Sequence, residues 1–278
     1  VLTIAYLTFK EAVRRRAPII SLLVAGLLLV GAQIPLAGKL LLLPRAEANH
    51  IFASIYVYFA TDIVKFFASV FGIALASGSI SAELERGVLS SILPKPITRL
   101  SVYAGKWLGL FAFVAANVFF WEGVIYAVAA YRDPGTSHQG ILEAIPTLLL
   151  YPAMFVSLAL CFSTFASFPL AAGLSILGTA IGWAENILYV LYWQFDIEML
   201  KKLSLLSGYL MPLGRMSRAV GDAMGPLTTF GGQQVGTRGM MGRIFREIQN
   251  GPLDVWYIVF YACVAFLIGA IVFGRRDV

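Results

Sequence analysis

Glu83 and Glu85 stand two residues apart, a spacing that lets paired carboxylates hold a metal for hydrolysis, but no histidine accompanies them. His50 and His138 are isolated in the sequence, so no metal-ligand spacing is present and no metal site is expected. Ser175 follows Gly173 and Leu174 inside an apolar run that holds no histidine to activate it. Cys161 and Cys263 each sit in an apolar run, which suggests neither a disulfide framework nor a thiolate site. No Gly-x-x-x-x-Gly-Lys-Ser/Thr sequence occurs: Gly105-Lys106 is followed by Trp107, and the glycines around Gln233 follow no expected strand. No catalytic residue and no cofactor are therefore expected on this chain. Any energy it uses must come from a partner or an ion gradient.

One island combines many polar residue types. Residues 83–106 place Glu83, Glu85, Gly87, Pro94, Pro96, Arg99 and Lys106 between two long apolar segments. Ser81 and the two acids can cap one crossing and open a short helix, and Gly87 permits a sharp change of direction. Over 88–93 the pattern reads as a short amphipathic helix, with Leu89, Ile92 and Leu93 on one face and Ser90 and Ser91 on the other. Pro94 and Pro96 end it. Arg99 and Lys106 precede the next crossing, where they can meet lipid phosphates or a carboxylate.

The elements that must carry this island are membrane helices. Hydrophobic residues make up 59% of the chain and charged residues 13%, about half the usual share of a soluble domain. Mean hydropathy is +0.81. Uncharged runs long enough for a hydrocarbon core of about 30 Å recur, and the alternation of a β-barrel is absent. The expected fold class is an all-α polytopic membrane protein, one transmembrane domain over 1–278, with six transmembrane helices and a short cytoplasmic helix between the second and third. The spans fall at about 18–38, 63–81, 107–131, 143–165, 169–192 and 255–274, with 51–61 as a lead-in to the second. Lys10 and Arg14 to Arg16 precede the first span and Arg275-Arg276 end the last, so both termini are expected in the cytoplasm. Residues 2–13 read as an amphipathic helix on the inner surface, and no cleavable signal peptide is expected.

The loop 194–253 carries Lys201, Lys202, Arg215, Arg218, Arg238, Arg243 and Arg246, against the positive-inside tendency for the outer side it would occupy. Its side stays open. Within it, 203–213 is apolar enough for a re-entrant or interfacial helix, and 230–242 is Gly-rich loop. A net charge of +6 fits cytoplasmic bases better than nucleic acid, because no basic stripe with interleaved aromatics stands apart from the spans.

Charges inside spans are costly and point to function. Lys65, Glu122 and Glu185 fall at similar depth toward the outer side, with Asp62 one turn from Lys65. They read either as an outer gate or cargo-contact ring in the translocation path, Lys65 neutralising a carboxylate, or as structural ion pairs.

The order of residues in the island resembles the permeases of the ABC-2 family of ABC transporters. There a Glu-x-x-x-Gly-Thr segment, a leucine-rich helix, a Pro-(Ile/Val)-(Ser/Thr)-Arg turn and a following Lys join the second and third crossings. The matching residues are Glu83, Gly87, Leu89, Ile92, Leu93, Pro96, Ile97, Thr98, Arg99 and Lys106. Val88 departs from the pattern, removing a hydroxyl that would cap the short helix. The likeness extends loosely over the chain, to its basic first helix and its ending at Phe273-Gly274-Arg275-Arg276-Asp277, and is closest to the permeases of copper-enzyme maturation in nitrous oxide reduction.

The resemblance implies a permease subunit of an ATP-driven exporter in the cell (inner) membrane. Its partners would be a separate ABC ATP-binding subunit, which carries ATP and magnesium, and a second permease copy in a homo- or heterodimer. The short helix after Gly87 would be the cytoplasmic coupling helix between the second and third crossings, docking in a groove of the ATPase through the apolar face of 88–93 (Leu89, Ile92 and Leu93), with Glu83 and Glu85 steering the contact. Two other readings stand beside it. A non-transporting scaffold for an ATPase would share the motif, and an ion-gradient transporter would place paired acids at the midplane.

Overall fold

Between Arg45 and Gly72 the chain contains neither proline nor glycine, and the computed structural model shows the result, a helix of 32 residues. The structure describes residues 1–14, 17–32, 45–85, 98–224, 228–230, 233–235 and 254–275. In chain order these form α1 (Leu2–Arg14), α2 (Ala17–Gly31), α3 (Arg45–Ala76), α4 (Ser81–Glu85), α5 (Arg99–Arg132), α6 (Gln139–Glu143), α7 (Ile145–Leu148), α8 (Leu150–Ser163), α9 (Phe168–Phe195), α10 (Glu198–Leu210), α11 (Leu213–Met224) and α12 (Asp254–Arg275). A three-residue antiparallel ribbon, Thr228–Phe230 against Gln233–Val235, lies between α11 and α12 where Gly-rich loop was expected.

Five helical segments among the described residues are long and apolar enough to cross a membrane: Ala48–Glu83, Arg99–Arg132, Gln139–Ser163, Phe168–Phe195 and Val255–Arg275. The chain is an all-α, multi-pass membrane protein. Of the expected 18–38 crossing, the described helix is α2, whose 15 residues reach about 22 Å and so fall short of a full hydrocarbon core. The expected lead-in 51–61 is continuous with the span that follows it, because nothing in its sequence interrupts the helix. The fourth crossing is segmented into α6, α7 and α8; Pro146 and Pro152, which lack an N–H, lie in the first turns of α7 and α8.

Helix α5 is the axis of the bundle and packs against α1, α2, α3, α8 and α12. Its Trp121 is fully buried and donates through Nε1 to the carbonyl of Ser21 on α2 at 3.1 Å. Trp107 does the same toward Ser157 Oγ on α8 at 2.8 Å. Where α1 crosses α5, Gly109 permits the contact: a Cβ there would lie 2.4 Å from the Ala5 carbonyl oxygen. The face of α1 that seats on α5 carries the small residues Ala5, Thr8 and Ala12, while Leu2, Tyr6, Leu7 and Val13 point away.

After α9 the chain reverses at Asp196, which holds φ 52° in the left-handed region. Asp tolerates that conformation better than most residues. Helix α10 then runs back along α9, and α11 continues from it to pack on α6, α7, α9 and α12.

Candidate coupling site and buried charges

Both ends of the 86–97 segment are anchored to the bundle. On its entry side, α4 presents Glu83, whose Oε1 lies 2.6 Å from Lys106 Nζ on α5. The same ammonium donates to the Ser79 carbonyl at 2.9 Å, and the Lys106 side chain is only 7% exposed. Ser163 Oγ at the end of α8 accepts from the backbone N–H groups of Ile80 and Ser81 at 3.2 and 3.0 Å. On its exit side, Thr98 caps α5, its hydroxyl accepting from the Ser101 N–H at 3.3 Å. Arg99 reaches the Gly274 carbonyl near the end of α12 at 3.5 Å, a basic group at a helix C-terminus. Gly87, Leu89, Ile92, Leu93 and Pro96 lie outside the described residues, and Glu85 closes α4.

The three charges expected as a ring are held separately. Lys65 Nζ is 2.8 Å from Asp62 Oδ1 on its own helix and 3.3 Å from Ser217 Oγ on α11. Glu185 is 1% exposed and sits at the start of α11. Its Oε2 accepts from the Gly214 N–H at 3.2 Å, and its Oε1 lies 3.4 and 3.5 Å from the two terminal nitrogens of Arg218. Gly214 is required there, since a Cβ would stand 2.5 Å from the carboxylate. Glu122 is equally buried on α5, and its Oε1 has no hydrogen-bond partner among the described residues. Consecutive residues of α11, Ser217 and Arg218, thus hold Lys65 and Glu185, while Glu122 lies within electrostatic reach of Lys65 without a hydrogen bond to it among the described residues.

The chain matches the family model described as ABC-2 family transporter protein over residues 2–278. It belongs to the ABC-2 transporter family. Comparison with curated proteins finds no match. As an ABC-2 family member the chain is the membrane component of a transporter, a type of subunit that is typically not itself catalytic, and its family implies a partner ATP-binding subunit.

Several residues that organise this ABC-2 chain escaped the sequence reading. Gly214, Ser217 and Arg218 fall in the stretch taken as a loop of open side, where no span fixed their neighbours. The clue was present: Arg215 and Arg218 share one face at i, i+3 spacing, directly after the small residue Gly214. Arg215 is buried with its guanidinium 4.7 Å and 4.6 Å from the ring centres of Tyr209 and Tyr257, so a base expected at an aqueous loop is enclosed by aromatics.

The two histidines, isolated in sequence, converge at the other end of the bundle from Glu83. His50 Nδ1 is 2.7 Å from Asp133 Oδ2, and His138 Nε2 is 3.0 Å from the Asp133 carbonyl oxygen. Burial pushes the Asp133 carboxyl up, but its hydrogen bonds with His50 and Thr136 and the nearby imidazoles outweigh this and hold it below its ordinary value. No group of three His, Cys, Asp or Glu among the described residues is arranged to hold a metal.

Proposed function

We propose that this chain is the transmembrane permease subunit of an ATP-driven exporter, coupled to a separate ATP-binding subunit through residues 83–99. The observation that carries the reading is the Glu83–Lys106 contact, which joins the entry to the segment with the next crossing. A push on 86–97 would reach α3 through α4 and the Ser79 carbonyl. It would reach α5 directly through its capped start and again through Lys106. Glu83 then acts inside the permease, and Glu85 with the apolar Leu89, Ile92 and Leu93 is left to meet the ATPase.

In this reading α2 completes a set of six crossings, and both termini face the cytoplasm on the inner membrane. Two permease copies and two ATPases form the working unit, with ATP and magnesium on the latter. Residues Glu122, Lys65 and Glu185 belong to the moving part of the bundle, Glu185 as the clamp that sets α11. Cysteine introduced at Leu89 or Ile92 should crosslink to a surface groove of the co-expressed ATPase, while cysteine at Leu142, near the opposite end of α5, should not. Equal crosslinking from both ends, or none from 89 and 92 in an intact complex, would overturn the reading.

A further inference from the structure

A cavity of about 570 Å³ opens between α3, α9 and α11, with Lys65, Asp62 and Ser217 on its polar side. Its other walls are mostly apolar or aromatic, among them Phe66, Ile176 and Trp183, with the hydroxyl-bearing Ser69, Thr179, Tyr58 and Tyr151 also on the lining. The polar side carries both signs of charge in contact, and neither is exhausted. An ammonium has three donors, and among the described residues Lys65 spends two, on Asp62 and Ser217. Asp62 uses Oδ1 for Lys65, and its side chain remains 44% exposed, against 11% for Lys65. Glu122 lies within electrostatic reach of Lys65 but does not line the cavity.

We propose that this cavity binds a zwitterionic amphiphile, a molecule bearing an ammonium and a phosphate or carboxylate on an apolar chain. Charge balance selects a zwitterion. Adding a single ion to a site already neutral at Asp62 and Lys65 leaves a net charge among apolar walls, which is costly; a zwitterion adds none. The anionic group of the ligand takes the remaining Lys65 donor, and its ammonium takes the free Asp62 oxygen. Phe66 and Trp183 stack at 6.2 Å between ring centres and are both well exposed, so they form a wall where a quaternary or primary ammonium meets aromatic faces. Ile176, also exposed and on the lining, continues the apolar path toward the lipid side.

Ser217 connects this site to the rest of the bundle. It precedes Arg218, which holds Glu185, so a ligand that draws Lys65 away from Ser217 acts on the helix whose start Glu185 clamps. As a cargo site the cavity rests on the permease reading above; as a binding site it does not.

The test uses the purified chain in maltoside micelles and three probes of equal tails: dihexanoyl phosphatidylcholine, dihexanoyl phosphatidylglycerol and dihexanoyl trimethylammonium-propane. Saturable change in Trp183 fluorescence, absent from Trp183→Phe, reports binding. The zwitterion should bind about tenfold more tightly than either singly charged probe, and Asp62→Asn and Lys65→Met should each remove that advantage. Ile176→Trp, which crowds the apolar wall of the cavity and leaves the ion pair alone, should weaken binding about tenfold in a folded protein. Equal affinity for all three heads, or binding unmoved by Ile176→Trp, overturns the proposal. A second arm compares a two-chain phosphatidylcholine with a single-chain alkyl betaine as stimulators of ATP hydrolysis by the complex with its ATPase. Stimulation by the betaine alone assigns the site to an exported amphiphile, and stimulation by the phospholipid assigns it to a bilayer lipid. Binding without stimulation by either leaves the site and removes its cargo role. Stimulation untouched by Ile176→Trp keeps the permease and removes the site.

Discussion

Two buried lysines hold a carboxylate in this molecule, and they do so in opposite ways. Lys106 reaches from α5 to Glu83 on α4, 23 residues away in sequence, and takes the Ser79 carbonyl as well. Lys65 holds Asp62 within its own helix at i, i+3. The first pair joins two crossings beside the 86–97 segment; the second makes one hydrogen bond to another helix among the described residues, to the Ser217 hydroxyl, and it faces a cavity. A pair that spans elements resists separation and suits the transmission of force. A pair confined to one turn can be rearranged at little structural cost, which suits a ligand.

The largest difference between them should appear on breaking each. Lys106→Met leaves Glu83 without its partner and frees α4 from α5, and should lower stability by about 2 kcal/mol, less than for a fully enclosed pair because Glu83 is partly exposed. Thermal unfolding in micelles measures it, and a cycle with Glu83→Gln should show coupling between the two sites. Next in size is Glu185→Gln, which weakens the hold on Arg218 and the start of α11 and should cost about 1–2 kcal/mol, with faster proteolysis after α10. Asp62→Asn should cost under about 1 kcal/mol, as a half-exposed local pair does. If Asp62→Asn proves as damaging as Lys106→Met, the contrast between a transmitting pair and a ligand-facing pair fails.

The smallest effect concerns the opposite end of the bundle. The Asp133 carboxyl is held below its ordinary value, so its contribution to stability is full above the ordinary carboxylate range and is lost as pH falls through the lowered value. Melting temperature should therefore drop more steeply below about pH 4 in the parent chain than in Asp133→Asn. Parallel profiles would show that His50 and Asp133 do not stabilise each other.

Much of the membrane architecture was legible in the sequence because charge is excluded from spans and marks their limits. Arg99, Arg132 and Arg275 each stand at a helix end. Residues 51–61 were harder, since length alone suggested a break where the absence of proline and glycine dictated continuity. The α10–α11 segment was least legible: it is amphipathic, basic and too short to read as a crossing, and its place depends on Glu185 of another helix. The same limit applied to His50 and His138, whose meeting at Asp133 depends on how α3 packs on α5. Local pairs such as Asp62 and Lys65 were visible from spacing; pairs made by packing, such as Arg218 and Glu185, were not.

The central claim is that ATP energy enters at residues 83–99. Its most direct measurement is ATP hydrolysis by the reconstituted complex of this chain with its ATPase, comparing the parent with Gly87→Pro and Leu89→Asp at equal membrane insertion. The account predicts that both variants insert normally and lose transport-linked hydrolysis. Normal stimulated hydrolysis in either variant would contradict it.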